Sequence, residues 1–110
     1  MITLELEVKA VEPSKLEGVR IARAEGNGEK VIFDMIEDLY VLSEGQRFKL
    51  VVSEEKPADL DSYEFCGHGY LVTGEDKGYT LISLWGVLFK FEPPLGLKTN
   101  QKYYLCIKRG

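Results

Sequence analysis

Few side chains in this chain could do chemistry. There is one histidine, His68, and two cysteines, Cys66 and Cys106. Cys66 and His68 are two residues apart, so an extended backbone points them to the same side. A structural zinc site takes about four ligands and commonly begins with a close cysteine pair. Three soft ligands without such a pair predict no zinc. For His68 to act as a general base, a nucleophile or a polarised water must sit within about 3 Å. No serine elbow, HExxH or phosphate-binding glycine loop accompanies it. Asp59 and Asp61 lie in the charged segment EEKPADLD, residues 54–61, where solvation explains them better than a magnesium pair. The residues therefore predict no catalytic group, no metal site and no cofactor.

Aromatic and basic side chains offer a different chemistry. Tyr63, Tyr70, Tyr79, Trp85, Tyr103 and Tyr104 could stack on bases, and Lys98, Lys102, Lys108 and Arg109 gather near the C-terminus. Stacking platforms along a basic groove are how small barrels hold single-stranded nucleic acid. Against this, the 14 basic and 18 acidic residues leave a net charge of −4. Nucleic-acid affinity is expected to be weak at most.

The elements that position these groups read as strands. Ile2, Leu4, Leu6, Val8 and Ala10 alternate with Thr3, Glu5, Glu7 and Lys9, a half-buried strand ended by Pro13. A shorter strand lies in residues 18–24, followed by the turn residues of EGNGE. Residues 30–42 fit a helix with Phe33, Ile36 and Tyr40 stacked, or a long bent strand. Val31, Ile32 and Phe33 at one end and Tyr40, Val41 and Leu42 at the other favour the strand. Further strands cover Phe48, Leu50 and Val52, then residues 63–73 with Gly67 and Gly69, then Tyr103, Leu105 and Ile107. Gly74 to Gly78 supplies a turn. The recurring turn signals predict an all-β domain, a small single barrel spanning residues 1–110, of about eight mostly antiparallel strands.

Residues 79–92, YTLISLWGVLFKFE, form the longest apolar run. Alternation puts Thr80, Ile82 and Leu84 on one face and Trp85 on the other. Gly86 reads as a bulge or sharp bend within a strand buried on both faces. A lone barrel has one inside, so a strand apolar on both faces predicts a partner over the other. Leu84, Trp85, Gly86 and Leu88 are the candidate contact residues. Residue type alone leaves open whether Trp85 plugs the core or anchors a docked protein.

At 110 residues and 45% hydrophobic, the chain can bury a core in one domain. No secretory leader and no uncharged membrane-length run is recognised. A cytoplasmic protein with two reduced thiols is expected. Scarce Asn and Gln beside abundant Lys and Glu lean towards a thermophile.

In order and spacing the motifs resemble the eighth-subunit family of RNA polymerase, found in eukaryotic nuclear enzymes and in some archaeal ones. LEVKAVEP and GQRFKLVVS carry the first half; YEFCGHGYLVTGED, SLWGVLFKFEP and KYYLCIKR carry the second. Residues 54–61 are much shorter than the corresponding eukaryotic loop, which suits a trimmed archaeal form. One glycine stands where eukaryotic members tend to have two. The resemblance implies a barrel related to the OB fold. It also implies a non-catalytic accessory subunit docked on the largest polymerase subunit and supporting assembly. A free-standing single-strand-binding module is the alternative.

Overall fold

The computed structural model describes residues 1–73 and 77–110. It contains eight strands: β1 (Ile2–Pro13), β2 (Val19–Gly26), β3 (Glu29–Ile36), β4 (Arg47–Ser53), β5 (Phe65–Thr73), β6 (Thr80–Leu84), β7 (Val87–Glu92) and β8 (Lys102–Arg109). They close into a barrel in the order β1-β2-β3-β7-β6-β5-β8-β4, with every neighbouring pair antiparallel. The all-β prediction and the strand number hold. Closure leaves no open edge among the described strands, so another chain has no ladder to extend.

β1 belongs to two walls. Ile2 to Glu7 pair with β4, and Glu7 to Pro13 pair with β2. The register shifts between Val8 and Ala10, and a bulge there lets one strand turn the corner. The β2–β3 turn folds back closely enough that a Cβ on Gly26 would lie 2.1 Å from the Glu5 carbonyl oxygen.

The interior is filled by inward alternates. Phe33 stacks on Phe89 with ring centroids 5.1 Å apart, and Phe48 meets Phe33 at 5.8 Å. Two long connections close the ends. β3 and β7 run antiparallel, so the segments that follow them, residues 37–46 and 93–101, leave from opposite ends of the barrel. Tyr40 and Leu42 are buried at one end; Leu95 and Leu97 pack on the core at the other.

The long bent strand expected over residues 30–42 is corrected. β3 stops at Ile36, and Leu39 and Tyr40 donate their N–H groups back to the Ile36 carbonyl in a turn. Tyr40 and Leu42 are core residues, yet as end caps rather than strand residues. A buried strand and a buried cap leave similar apolar runs in a sequence, and only the closure of the barrel separates them.

The connection from β4 to β5 explains another burial. Both strands flank β8 and run antiparallel to it. β4 ends with Ser53 opposite Tyr104, while β5 begins with Phe65 opposite Ile107. The intervening segment must therefore return along the outside of β8. It ends with the Glu64 N–H donating to the Ile107 carbonyl. Val51 and Cys106 point outward by alternation and are buried all the same. Within this segment Leu60–Ser62 makes a short 3-10 turn. Of the turn expected at residues 74–78, Gly74, Glu75 and Asp76 lie outside the described residues.

Candidate protein-docking face

Residues 79–92 are not one strand bent at a glycine. They are β6 and β7, joined by the two-residue hairpin turn Trp85-Gly86 between the paired Leu84 and Val87. Both turn residues have positive φ, 57° at Trp85 and 95° at Gly86, which is the signature of a type I′ hairpin. The Gly86 N–H donates to Ser83 Oγ at 3.1 Å. Tryptophan is a poor choice here, because a left-handed backbone costs a residue with a Cβ about 1–2 kcal/mol. Asn-Gly or Gly-Gly would fit better.

The turn carries the indole into solvent. Trp85 is 86% exposed, which settles that it does not plug the core. Its ring meets His68 edge-on at 6.4 Å, and His68 in turn meets Tyr104 at 5.7 Å. His68 Nδ1 is buried beneath these rings without a hydrogen-bond partner.

Other predicted contact residues separate. Leu84 is 5% exposed and belongs to the interior, so its side chain cannot reach a partner from there. Leu84, named among the candidate contact residues, thus keeps the inward face that alternation gives it, opposite to that of Trp85. Its place inside is made by β5. A Cβ on Gly67 would lie 3.1 Å from Leu84 Cδ1, and one on Gly69 would lie 2.8 Å from Leu84 Cδ2. Leu88 is outward and 41% exposed. Its N–H is taken by Asp34 Oδ2 at 3.0 Å, just beyond the last β3–β7 pair, Phe33 with Phe89.

The exposed face extends further than the alternation of residues 79–92 indicates. Tyr70 on β5 lies opposite Ser83 on β6, and Ser83 lies opposite Leu88 on β7. Tyr70 and Leu88 thus belong to one row across three strands. Val72, where the β5–β6 register shifts, is also exposed. Tyr70 and Val72 are exposed apolar positions that the reading of residues 79–92 does not include. The signal was their outward phase on a strand whose inward phase is Gly67 and Gly69.

The opposite side of the barrel is built differently. Arg20 pairs with Glu37 at 2.7 Å, Arg23 with Glu12 at 2.8 Å and Lys9 with Glu7 at 3.3 Å. Arg47 and Lys49 approach Glu7 and Glu5. β1, β2 and β4 therefore present a surface of exposed ion pairs, suited to water. β5, β6 and β7 present Tyr70, Val72, Trp85 and Leu88.

The four basic residues of the predicted nucleic-acid patch are not brought together. Lys102 and Lys108 are six residues apart along β8, about 20 Å. Lys102 Nζ lies over the Tyr104 ring at 5.3 Å and Lys108 Nζ over the Tyr63 ring at 5.9 Å. Arg109 donates to the Val41 carbonyl at 3.0 Å and lies 3.6 Å from Glu64. Lys98 sits in the connection that closes the other end, where its N–H donates to the Tyr103 hydroxyl.

The cysteines are joined. Cys66 and Cys106 face each other across β5 and β8 with Cα atoms 4.2 Å apart, and their sulfurs form a disulfide. This corrects the expected reduced thiols. The residues are 40 apart in sequence, and nothing in their spacing shows that their strands are neighbours. Elsewhere, the Tyr40 hydroxyl is buried without a hydrogen-bond partner. Burial raises its pKa far above the ordinary tyrosine range, and the nearby Asp34 charge raises it further. Among the described residues no group of three or more His, Cys, Asp or Glu is placed to hold a metal, and no helix is long and apolar enough to cross a membrane.

Residues 1–110, the whole chain, match the model of the RpbG family of DNA-directed RNA polymerase subunits. The chain belongs to this family. It is 30% identical to DNA-directed RNA polymerase subunit Rpo8 of Saccharolobus solfataricus, over 99% of this chain and 93% of that protein. It is 28% identical to subunit Rpo8 of Saccharolobus shibatae, over 99% of this chain and 94% of that one. Subunit Rpo8 of Sulfolobus acidocaldarius is 26% identical, over 94% and 93% of the two chains. The chain thus matches these relatives nearly end to end, and the aligned stretch of the first two, 124 residues, is longer than the chain's own 110.

Proposed function

We propose that this chain is a non-catalytic subunit of an archaeal-type DNA-directed RNA polymerase. It docks on the largest subunit through the outer face of β5, β6 and β7, with Trp85 as anchor, and supports assembly. It works in the cytoplasm and touches nucleic acid weakly at most. The observation that carries the reading is the exposed indole on a turn whose backbone disfavours it. Strain of this kind persists where presentation of a side chain matters more than local stability. Tryptophan and tyrosine are the residues most enriched among interface anchors. Family membership supports the assembly; the cluster of Tyr70, Val72, Trp85 and Leu88, set against the ion-paired outer surface of β1, β2 and β4, supports the surface. With no open edge among the described strands, the contact is made by side chains.

Co-expression of a tagged copy with the polymerase large subunits tests the proposal. Wild type is expected to bring down the largest subunit, and Trp85→Ala to bring down much less. A wild-type copy that recovers no large subunit would end this reading. Trp85 is the only tryptophan, so its fluorescence reports the same event: water-exposed emission in the free chain, shifted to the blue on docking. The single-strand-binding alternative predicts salt-sensitive quenching by oligonucleotides instead. Lys102 and Lys108, far apart and each over a tyrosine ring, give it less support.

A further inference from the structure

β5 is the strand with the least hold on the core. Its inward positions include Gly67 and Gly69, which have no side chain to bury, and Phe65 and Leu71, which are only partly buried. Among the described residues, no β5 side chain belongs to the fully buried set. Gly69 cannot be filled, because a Cβ there would lie 1.9 Å from the Ser83 carbonyl oxygen. Yet this strand displays Tyr70 and Val72 and supports His68 beneath Trp85. Besides its ladders to β6 and β8, what ties it down is on its outer side: Cys66, bonded to a Cys106 that is wholly buried.

We infer that the Cys66–Cys106 bond is the strut that holds β5 in the barrel wall, so that the docking face is complete only while the bond is intact. The inference rests on the docking reading for its functional half alone. The chemistry has a direction. Cys66 is partly exposed and Cys106 is not, so a dithiol reductant attacks the Cys66 sulfur. The sulfur–sulfur bond breaks, its electron pair goes to the Cys106 sulfur, and that sulfur takes up a proton. The second thiol of the reductant then attacks its own half of the mixed disulfide. Cys66 is released as a thiol and the reductant ends as a cyclic disulfide. Because the first leaving group is a buried thiolate, reduction is slow in the folded chain.

Hydrogen exchange of the intact chain tests this, oxidised and then fully reduced with a dithiol. In the oxidised chain β5 exchanges in step with β1, β2 and β3, and alkylation after denaturation finds no free thiol. After reduction the β5 amides exchange at least tenfold faster than those of β1, β2 and β3. A Cys66→Ala/Cys106→Ala variant behaves as the reduced chain does without any reductant. If β5 stays in step with the other strands after reduction, whatever loss of protection all strands share, the strut is wrong. Free thiols in the untreated protein also overturn it. Capture by the largest polymerase subunit reads the functional half: the reduced chain is captured at least tenfold less. Loosened β5 with undiminished capture removes that half. Undiminished capture of Trp85→Ala removes the docking reading instead and leaves the exchange result standing.

Discussion

Replacing Trp85 with asparagine should move stability and association in opposite directions. The substitution turns Trp-Gly into Asn-Gly, the pair that type I′ hairpins favour. Trp85 sits at φ 57°, where a residue with a Cβ costs about 1–2 kcal/mol and asparagine much less. Against this gain stands the edge contact with His68 at 6.4 Å, worth about 0.5–1 kcal/mol. Little area burial is lost, because the indole is 86% exposed. The balance is a stabilisation of about 0.5 kcal/mol. For 110 residues the unfolding entropy is about 0.23 kcal/mol/K, so Tm rises by about 2 °C. Association with the largest subunit should weaken by about 2 kcal/mol, roughly thirtyfold, if the indole is a buried anchor. Thermal unfolding of the oxidised chain followed by circular dichroism measures the first effect, and titration against the largest subunit measures the second. A fall in Tm of several degrees would mean that Trp85 packs more than its exposure allows. Unchanged affinity would sink the anchor.

Gly69→Ala should destabilise by about 1–3 kcal/mol, because the added methyl meets the Ser83 carbonyl oxygen and Leu84 in a wall that cannot open locally. Denaturant unfolding measures this, and a neutral result would show that β5 and β6 have slack. Reducing the disulfide frees a loop of 40 residues in the unfolded chain, about 4 kcal/mol by the chain-entropy estimate. Urea midpoints with and without a dithiol check the size. Tyr40→Phe should stabilise by about 1 kcal/mol, since it removes a buried hydroxyl with no partner. The pH dependence follows with a definite sign. Tyr40 has its pKa raised on folding, so its contribution is whole below about pH 10, where the unfolded tyrosine stays neutral. Above that pH the unfolded chain ionises first and stability falls. Tyr40→Phe should flatten this alkaline loss in melts across pH 8 to 11.

Alternation by itself determined the all-β class and the inward phase of β1, β4 and β8. Those properties depend on nearest neighbours along the chain, where period two is written directly. The whole-length resemblance determined the family in the same way, by order and spacing. Tertiary structure decided the rest. Whether Trp85-Gly86 bends one strand or joins two depends on Leu84 pairing with Val87, a contact across the turn. Whether Leu84 faces a partner or the core depends on the room left by Gly67 and Gly69 on another strand. Cys66 meets Cys106 only because β8 returns between β4 and β5. Lys102 and Lys108 lie on one strand, and strand geometry draws them apart where sequence proximity suggested a patch. In each case the deciding contact joins positions that the linear pattern treats as independent, and closing the barrel is what couples them.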